Sequence, residues 1–150
     1  MHRGKRFAFV LLKCFYLESN VSRLFSFIFP YSMTLDTLRT HCLAKAGVTE
    51  EMPFGPTALV FKVMGKVFLL AGLDSRPLSF SVKCDPERAI DLRERYDAVR
   101  PGYHLNKKHW NTIQADGSVP DGTLKTWIDD SYALVVASLP RPLKAELALF

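Results

Sequence analysis

From Met33 onward the apolar positions change period several times, and each change marks an element. Leu35, Leu38 and Cys42 recur at helical spacing behind Thr34, whose hydroxyl suits an N-cap, and Gly47 is placed to end that helix as its C′ residue. Residues 48–57, VTEEMPFGPT, break the period with two prolines, a glycine and two glutamates, and read as a surface connection with Phe54 tucked inward. Ala58–Val63 and Lys66–Ala71 then flank Met64-Gly65, a two-residue spacing that predicts a tight hairpin. The second of these runs, KVFLLA, is apolar on both faces, which places it centrally in a sheet. After Asp74-Ser75-Arg76-Pro77, LSFSVKC alternates, with Leu78, Phe80, Val82 and Cys84 inward and Ser79, Ser81 and Lys83 outward. That is the pattern of an antiparallel sheet with one solvated face.

The period returns to helical at Asp85-Pro86, an N-cap followed by a residue pre-organised for the first helical position. Ala89, Leu92 and Tyr96 form the apolar face, and Asp91 and Arg95 stand at i, i+4 on the other. A strand is expected near Trp110–Ala115, then a turn at Asp116-Gly117. The last long helix starts at Asp121, read as its N-cap after Pro120. Its broad stripe contains Leu124, Trp127, Ile128, Ser131, Leu134, Val135, Ser138 and Leu139, with small residues where another element can approach closely. Pro140 and Pro142 stop it, and Leu143–Phe150 allow one further short helix. The expected order is helix, three strands, helix, one or two strands, helix, helix. This is an α+β class, a single compact domain with an antiparallel sheet packed against helices and no βαβ alternation.

Composition divides the chain at the same point. Residues 1–32 hold six of the eleven phenylalanines, and carry Arg3, Lys5, Arg6, Lys13 and Arg23 against Glu18 alone. The remainder, 33–150, has 15 basic and 14 acidic side chains, so most of the formal +5 belongs to the first segment. Bulk charge therefore gives no reason to expect nucleic acid as a partner of 33–150, and any such reading rests on local clustering. The segment 1–32 is expected to be an atypical extension outside the native domain, with Met33 as the true start. A membrane-associating or targeting extension and a packed part of the fold are the alternatives. Lys13 interrupts a signal-like apolar core after six residues, and Lys13, Glu18, Asn20 and Arg23 break any run near the ~20 apolar residues of a membrane span, so no stable insertion is expected.

Cys14, Cys42 and Cys84 are odd in number and form no CxxC pair, which points to a reducing compartment, taken as the cytoplasm, and to no disulfide framework or zinc ribbon. Cys42 and Cys84 read as small buried hydrophobes. His41 and Cys42 project about 100° apart on a helix, wrong for sharing a metal. GxSxG, GxxxxGK[ST], HExxH and GxGxxG are all absent, and His104 and His109 are badly spaced for a metal pair. Neither catalysis nor a cofactor is expected.

The most unusual tract is Arg100–Thr112, RPGYHLNKKHWNT. Arg100, Lys107 and Lys108 suit phosphates, and Asn106, Asn111 and His104 offer short polar groups for backbone oxygens. Tyr103, His109 and Trp110 offer rings for stacking on unpaired bases, an interleaving that single-strand binders use. Lys66, Arg76 and Lys83 from the neighbouring sheet are possible support. The plainer reading makes Pro101-Gly102 a turn and Trp110 core, on a strand running from Asn106. In that strand Lys108 and Trp110 share one face, and Lys107, His109 and Asn111 the other.

Residues 34–148 resemble the MmcQ/YjbR family of small bacterial proteins. The likeness runs through PFG at Pro53–Gly55, LVFKV at Leu59–Val63, KCDPE at Lys83–Glu87, LRERY at Leu92–Tyr96, VRPGYHLNKKHWNT from Val99, DGSVPD at Asp116–Asp121 and DDSYALVVASLP from Asp129. The resemblance implies a compact α+β fold comparable to frataxin and CyaY, and DNA binding through paired β wings. Two functions from different classes follow. One is a non-catalytic DNA-binding protein using the Arg100–Asn111 edge. The other is an adaptor that takes a protein or small anionic ligand in a pocket made of Tyr103, His104, His109 and Trp110.

Overall fold

The computed structural model describes residues 32–150, and the expectations for the segment before Ser32 lie outside the described residues. Thr34 caps α1 (Leu35–Leu43) as expected, its hydroxyl accepting the Thr37 N–H at 3.2 Å. The helix ends at Ala44, and Gly47 lies three residues further on, in the turn that enters the sheet rather than at C′.

Four strands precede the second helix, not three: β1 (Val48–Glu51), β2 (Ala58–Val63), β3 (Lys66–Gly72) and β4 (Ser79–Lys83). The extra strand is the first half of the presumed connection. Val48–Glu51 pairs antiparallel with Val60–Val63, which satisfies its backbone despite a polar sequence. Glu50 turns to the helical side and takes a forked bond from Arg39 of α1, which holds its carboxyl below the usual range. Glu51 meets Lys62 on the other face at 2.5 Å. Phe54 is 69% exposed, contrary to the expectation that it tucks inward, because the chain leaves the sheet after Glu51. The β2–β3 hairpin forms at Met64-Gly65, and both residues have positive φ, 47° and 79°.

Asp85 caps α2 (Pro86–Arg95), its carboxylate accepting the Glu87 N–H at 3.0 Å, and Asp91 pairs with Arg95 at 2.7 Å. The segment beyond contains two strands, β5 (Val99–Pro101) and β6 (Trp110–Gln114). In α3 (Asp121–Ser138) the cap position falls on Pro120, with no side-chain cap bond, and Asp121 is already the first helical residue. A short α4 (Arg141–Leu147) follows Pro140.

The six strands form one continuous antiparallel sheet in the order β1-β2-β3-β4-β6-β5, so β3 and β4 are central. The four helices of the described residues complete an α+β domain, with α3 across β2, β3 and β4, α2 against β5 and α1 against β1. Leu38, Cys42, Phe61, Phe68, Leu69, Phe80, Ile113, Leu124 and Ile128 fill the layer between. Phe68 meets Tyr132 edge-on at 5.6 Å, and Trp127 meets Tyr96 edge-on at 5.1 Å. Cys42 and Cys84 are buried free thiols, and burial pushes Cys42 up to about 12. Leu134 and Ser138 depart from the expected stripe and face outward. Among the described residues no helix is long and apolar enough to cross a membrane.

Ser131 shows what one small residue in that stripe does. The β3–β4 ladder stops at Leu69–Val82, and the fully buried Ser131 hydroxyl occupies the next rung. It donates to the Phe68 carbonyl at 2.6 Å and accepts the Lys83 N–H at 2.8 Å. Ser131→Ala strands both groups in the core, so a loss of about 2 kcal/mol in urea unfolding is expected, with faster hydrogen exchange at the Lys83 amide.

Candidate binding site on the open sheet face

Because side chains alternate along each strand, burying Phe80, Val82 and Ile113 under the helices turns Ser79, Ser81, Thr112 and Gln114 to the opposite face. Register carries the face across the sheet. Leu70 stands beside Ser81, Gly72 beside Ser79, and Arg100 of β5 beside Thr112. Together with Ala58 and Val67, these positions floor an open concavity of about 730 Å³. Its floor is aliphatic toward β2 and β3 and hydroxyl- and amide-bearing toward β4 and β6. Ser81 and Thr112 hydroxyls bond to each other at 2.8 Å, which explains how Ser81 is buried while facing outward.

The walls come from Phe54 on one side and the β5–β6 loop on the other, through Tyr103, His104, Leu105 and Trp110. Gly102 starts this loop and donates to the Trp110 carbonyl at 2.9 Å. Tyr103 is tied down by its backbone N–H, which donates to the Thr112 hydroxyl at 2.9 Å, while the residue as a whole is 74% exposed. His104 has φ of 54°, an uncommon conformation for a side chain-bearing residue, and its ring centroid lies 4.0 Å from that of Tyr103. Arg100 is the sole charged side chain among the Asp, Glu, Lys and Arg residues lining the concavity. Among the described residues it has no carboxylate partner.

The loop is held from behind the sheet. Arg93 of α2 donates through Nε to the Asn111 side-chain oxygen at 2.7 Å, and through one terminal nitrogen to the Trp110 carbonyl at 3.2 Å and to the Lys107 carbonyl. Asn111 donates on to the Ala89 carbonyl at 3.2 Å. One forked cation therefore fixes both the end of the loop and the start of β6.

These contacts divide the sequence-predicted residues into groups. Arg100, Tyr103, His104 and Trp110 meet around the concavity, so Trp110 is a half-buried wall rather than core. Asn111 is 0% exposed with its carboxamide committed to the protein, so it is removed from the set that can touch a ligand. The alternating strand expected from Asn106 is instead a turn. The His109 and Trp110 amides both donate to the Asn106 carbonyl, and the Asn106 side chain accepts the Lys108 N–H at 2.9 Å. Lys107 and Lys108 sit exposed on this turn, outside the concavity, and half-buried His109 does not line it. Lys66 and Lys83 belong to one end of the sheet, whereas Arg76 lies at the other and donates to the carbonyls of its own turn at 3.1 and 2.8 Å. Arg76 therefore stands apart from Lys66, Lys83 and the Lys107–Lys108 turn, which lie toward the same end of the sheet. The sequence pattern gave Gly102 only as part of a turn and did not point to the floor or to Arg93. The outward alternation of Ser79 and Ser81 was the available signal for the floor.

A six-stranded antiparallel sheet with its helices on one face, and a loop-walled concavity on the other, defines a small α+β domain with an open sheet face. The chain belongs to the YjbR family, whose model matches residues 43–134. It is 38% identical over 109 residues to the uncharacterized protein YjbR of Escherichia coli K12, covering 72% of this chain and 92% of that one. It is also 38% identical over 90 residues to the uncharacterized protein YbdF of Escherichia coli O157:H7, covering 59% and 73%. The crystal structure of Deinococcus radiodurans protein DR2400, assigned to DUF419, superposes with a TM-score of 0.73 at 38% identity over 78% of this chain and 89% of that one. A Pseudomonas syringae protein shares the fold at 23% identity, with a TM-score of 0.59 over 68% of this chain and 98% of that one.

Proposed function

We propose that the domain is a non-catalytic binding module that holds a small organic anion on its open sheet face. The observation that carries this is the concavity itself. At about 730 Å³ it falls within the size of ligand pockets, and it combines an aliphatic floor, aromatic walls and one cation, Arg100, that has no carboxylate partner among the described residues. Arg100 is suited to a carboxylate or phosphate, the hydroxyls of Ser81 and Thr112 and the Gln114 amide to polar substituents, and Leu70 with the Tyr103 and Trp110 rings to an apolar or aromatic body. Buried free Cys42 and Cys84 fit a reducing compartment such as the cytoplasm.

Single-stranded DNA is the second reading, favoured by one observation. The exposed Tyr103 ring adjoins a turn that carries Lys107 and Lys108, so stacking and phosphate contact are both available nearby. Paired-wing contact with DNA, as the family resemblance implies, belongs with this reading.

A thermal-stability screen against nucleotides, sugar phosphates and aromatic acids separates the two. A ligand present at about a hundred times its Kd stabilises by about 2.7 kcal/mol, a clear rise in Tm. Arg100→Ala is expected to abolish that rise, while replacing Lys107 and Lys108 by alanine leaves it intact. If no anion raises Tm, and single-stranded DNA binds with a salt slope that falls by about 1.4 units in the double-lysine variant, the DNA reading replaces this one.

A further inference from the structure

The open sheet face presents its side chains in a fixed order, and that order describes more of a ligand than its charge. Strand pairing sets Arg100 of β5 beside Thr112 of β6, Thr112 beside Ser81 of β4, and Ser81 beside Leu70 of β3. All four line the concavity. Across the strands the row runs from cation through hydroxyls to hydrocarbon, over three strand spacings or roughly 14 Å.

The middle of the row calls for polar partners. The Ser81 and Thr112 hydroxyls share one bond and Thr112 accepts the Tyr103 N–H, so one hydroxyl proton of the pair is left over. In the neighbouring row Ser79 stands beside Gln114, and both line the concavity. The Ser79 hydroxyl and the Gln114 carboxamide make no hydrogen bond to another described residue, since both residues bond only through their backbones. An alkyl or aryl chain laid over these groups would strip their water and return no hydrogen bond, whereas a polyhydroxylated unit pairs with them. Toward β2 and β3 the preference reverses, because the floor there is aliphatic.

An aromatic acid supplies the anion and the apolar body without the hydroxylated middle, and a sugar phosphate supplies the first two parts without the apolar end. A nucleoside monophosphate supplies all three in the order of the row. Its single phosphate also matches a lining with one Arg and no Lys. We propose that the ligand class of this site is the nucleoside monophosphates, with phosphate on Arg100, pentose over Ser81, Thr112 and Gln114, and base over Leu70. This assignment rests on the anion-binding reading of the open face and narrows it.

Isothermal titration of the full chain with adenosine 5′-monophosphate, ribose 5-phosphate, adenosine and benzoate is the test. The monophosphate is expected to bind at least about tenfold more tightly than ribose 5-phosphate, the increment that stacking one base brings. It should exceed adenosine by at least about tenfold through the phosphate contact to Arg100. Gln114→Ala, which breaks no side-chain bond among the described residues, should weaken the monophosphate and ribose 5-phosphate alike, by about fivefold. Leu70→Asn should erase the advantage of the monophosphate over ribose 5-phosphate. Tighter binding of benzoate than of the monophosphate, or equal binding of the monophosphate and ribose 5-phosphate, overturns the proposal and leaves the anion site standing. Absence of binding by every anion overturns both. Unchanged affinity in Gln114→Ala, or an undiminished advantage of the monophosphate in Leu70→Asn, also overturns the proposal.

Discussion

Replacing Asn111 with leucine is expected to destabilise the domain by about 3 kcal/mol, although the side chain never reaches solvent. Leucine matches asparagine in shape well enough to leave no large void. The loss therefore comes from the polar groups left behind. The Arg93 Nε–H loses its acceptor, at a site where the guanidinium is already partly withdrawn from water, and the Ala89 carbonyl loses a donor. Arg93→Met removes the same bond from the other side, together with those to the Lys107 and Trp110 carbonyls, and should cost a similar amount. Because the two side chains belong to one network, the double variant should be less destabilised than the sum of the singles by about 1 kcal/mol or more. Urea unfolding of the four proteins checks this. Additive losses would mean that the fork between α2 and the loop is not one unit.

Gly102→Ala has the second large expected effect, about 2–3 kcal/mol, together with loss of ligand binding on the open face. A β-carbon at this position would stand 2.8 Å from the Trp110 β-carbon, 3.1 Å from that of Leu105 and 3.1 Å from the Trp110 carbonyl oxygen. The crowding is with backbone and first side-chain atoms, which no rotamer change relieves. Gly102 also donates to that same Trp110 carbonyl, so moving the chain aside breaks the bond that closes the loop. Tyr103, His104 and Trp110 would lose their common arrangement, and the anion-induced rise in Tm should vanish even where the variant remains folded. A folded Gly102→Ala protein with undiminished ligand response would show that the loop does not shape the site.

Much of the fold was legible in the sequence because local chemistry and burial agree. Thr34 and Asp85 cap their helices, Met64-Gly65 turns the hairpin, and the alternation from Leu78 to Cys84 separates the two faces. The misreadings occurred where pairing outweighs composition. Val48–Glu51 is a strand because β2 offers it a ladder and Arg39 offers Glu50 a partner, neither visible in VTEEMPFGPT. The tract Arg100–Thr112 was rightly singled out, yet its residue types did not reveal their partners. Asn106 and Asn111, which look like ligand-facing amides, are engaged in a turn and a buried fork. Arg93, which looks like an ordinary surface cation on an amphipathic helix, is the group that holds the tract in place. The floor of the concavity depends on the register of five strands, and the outward alternation of Ser79 and Ser81 shows only the part that belongs to β4.

The most direct test of the anion-binding account is a crystal structure of the protein with the strongest ligand from the stability screen. The bound molecule is expected to lie over Leu70, Ser81 and Thr112, its anionic group on the Arg100 guanidinium and its body against Tyr103 or Trp110. A ligand found instead on the Lys107–Lys108 turn, with the open sheet face unoccupied, would contradict it.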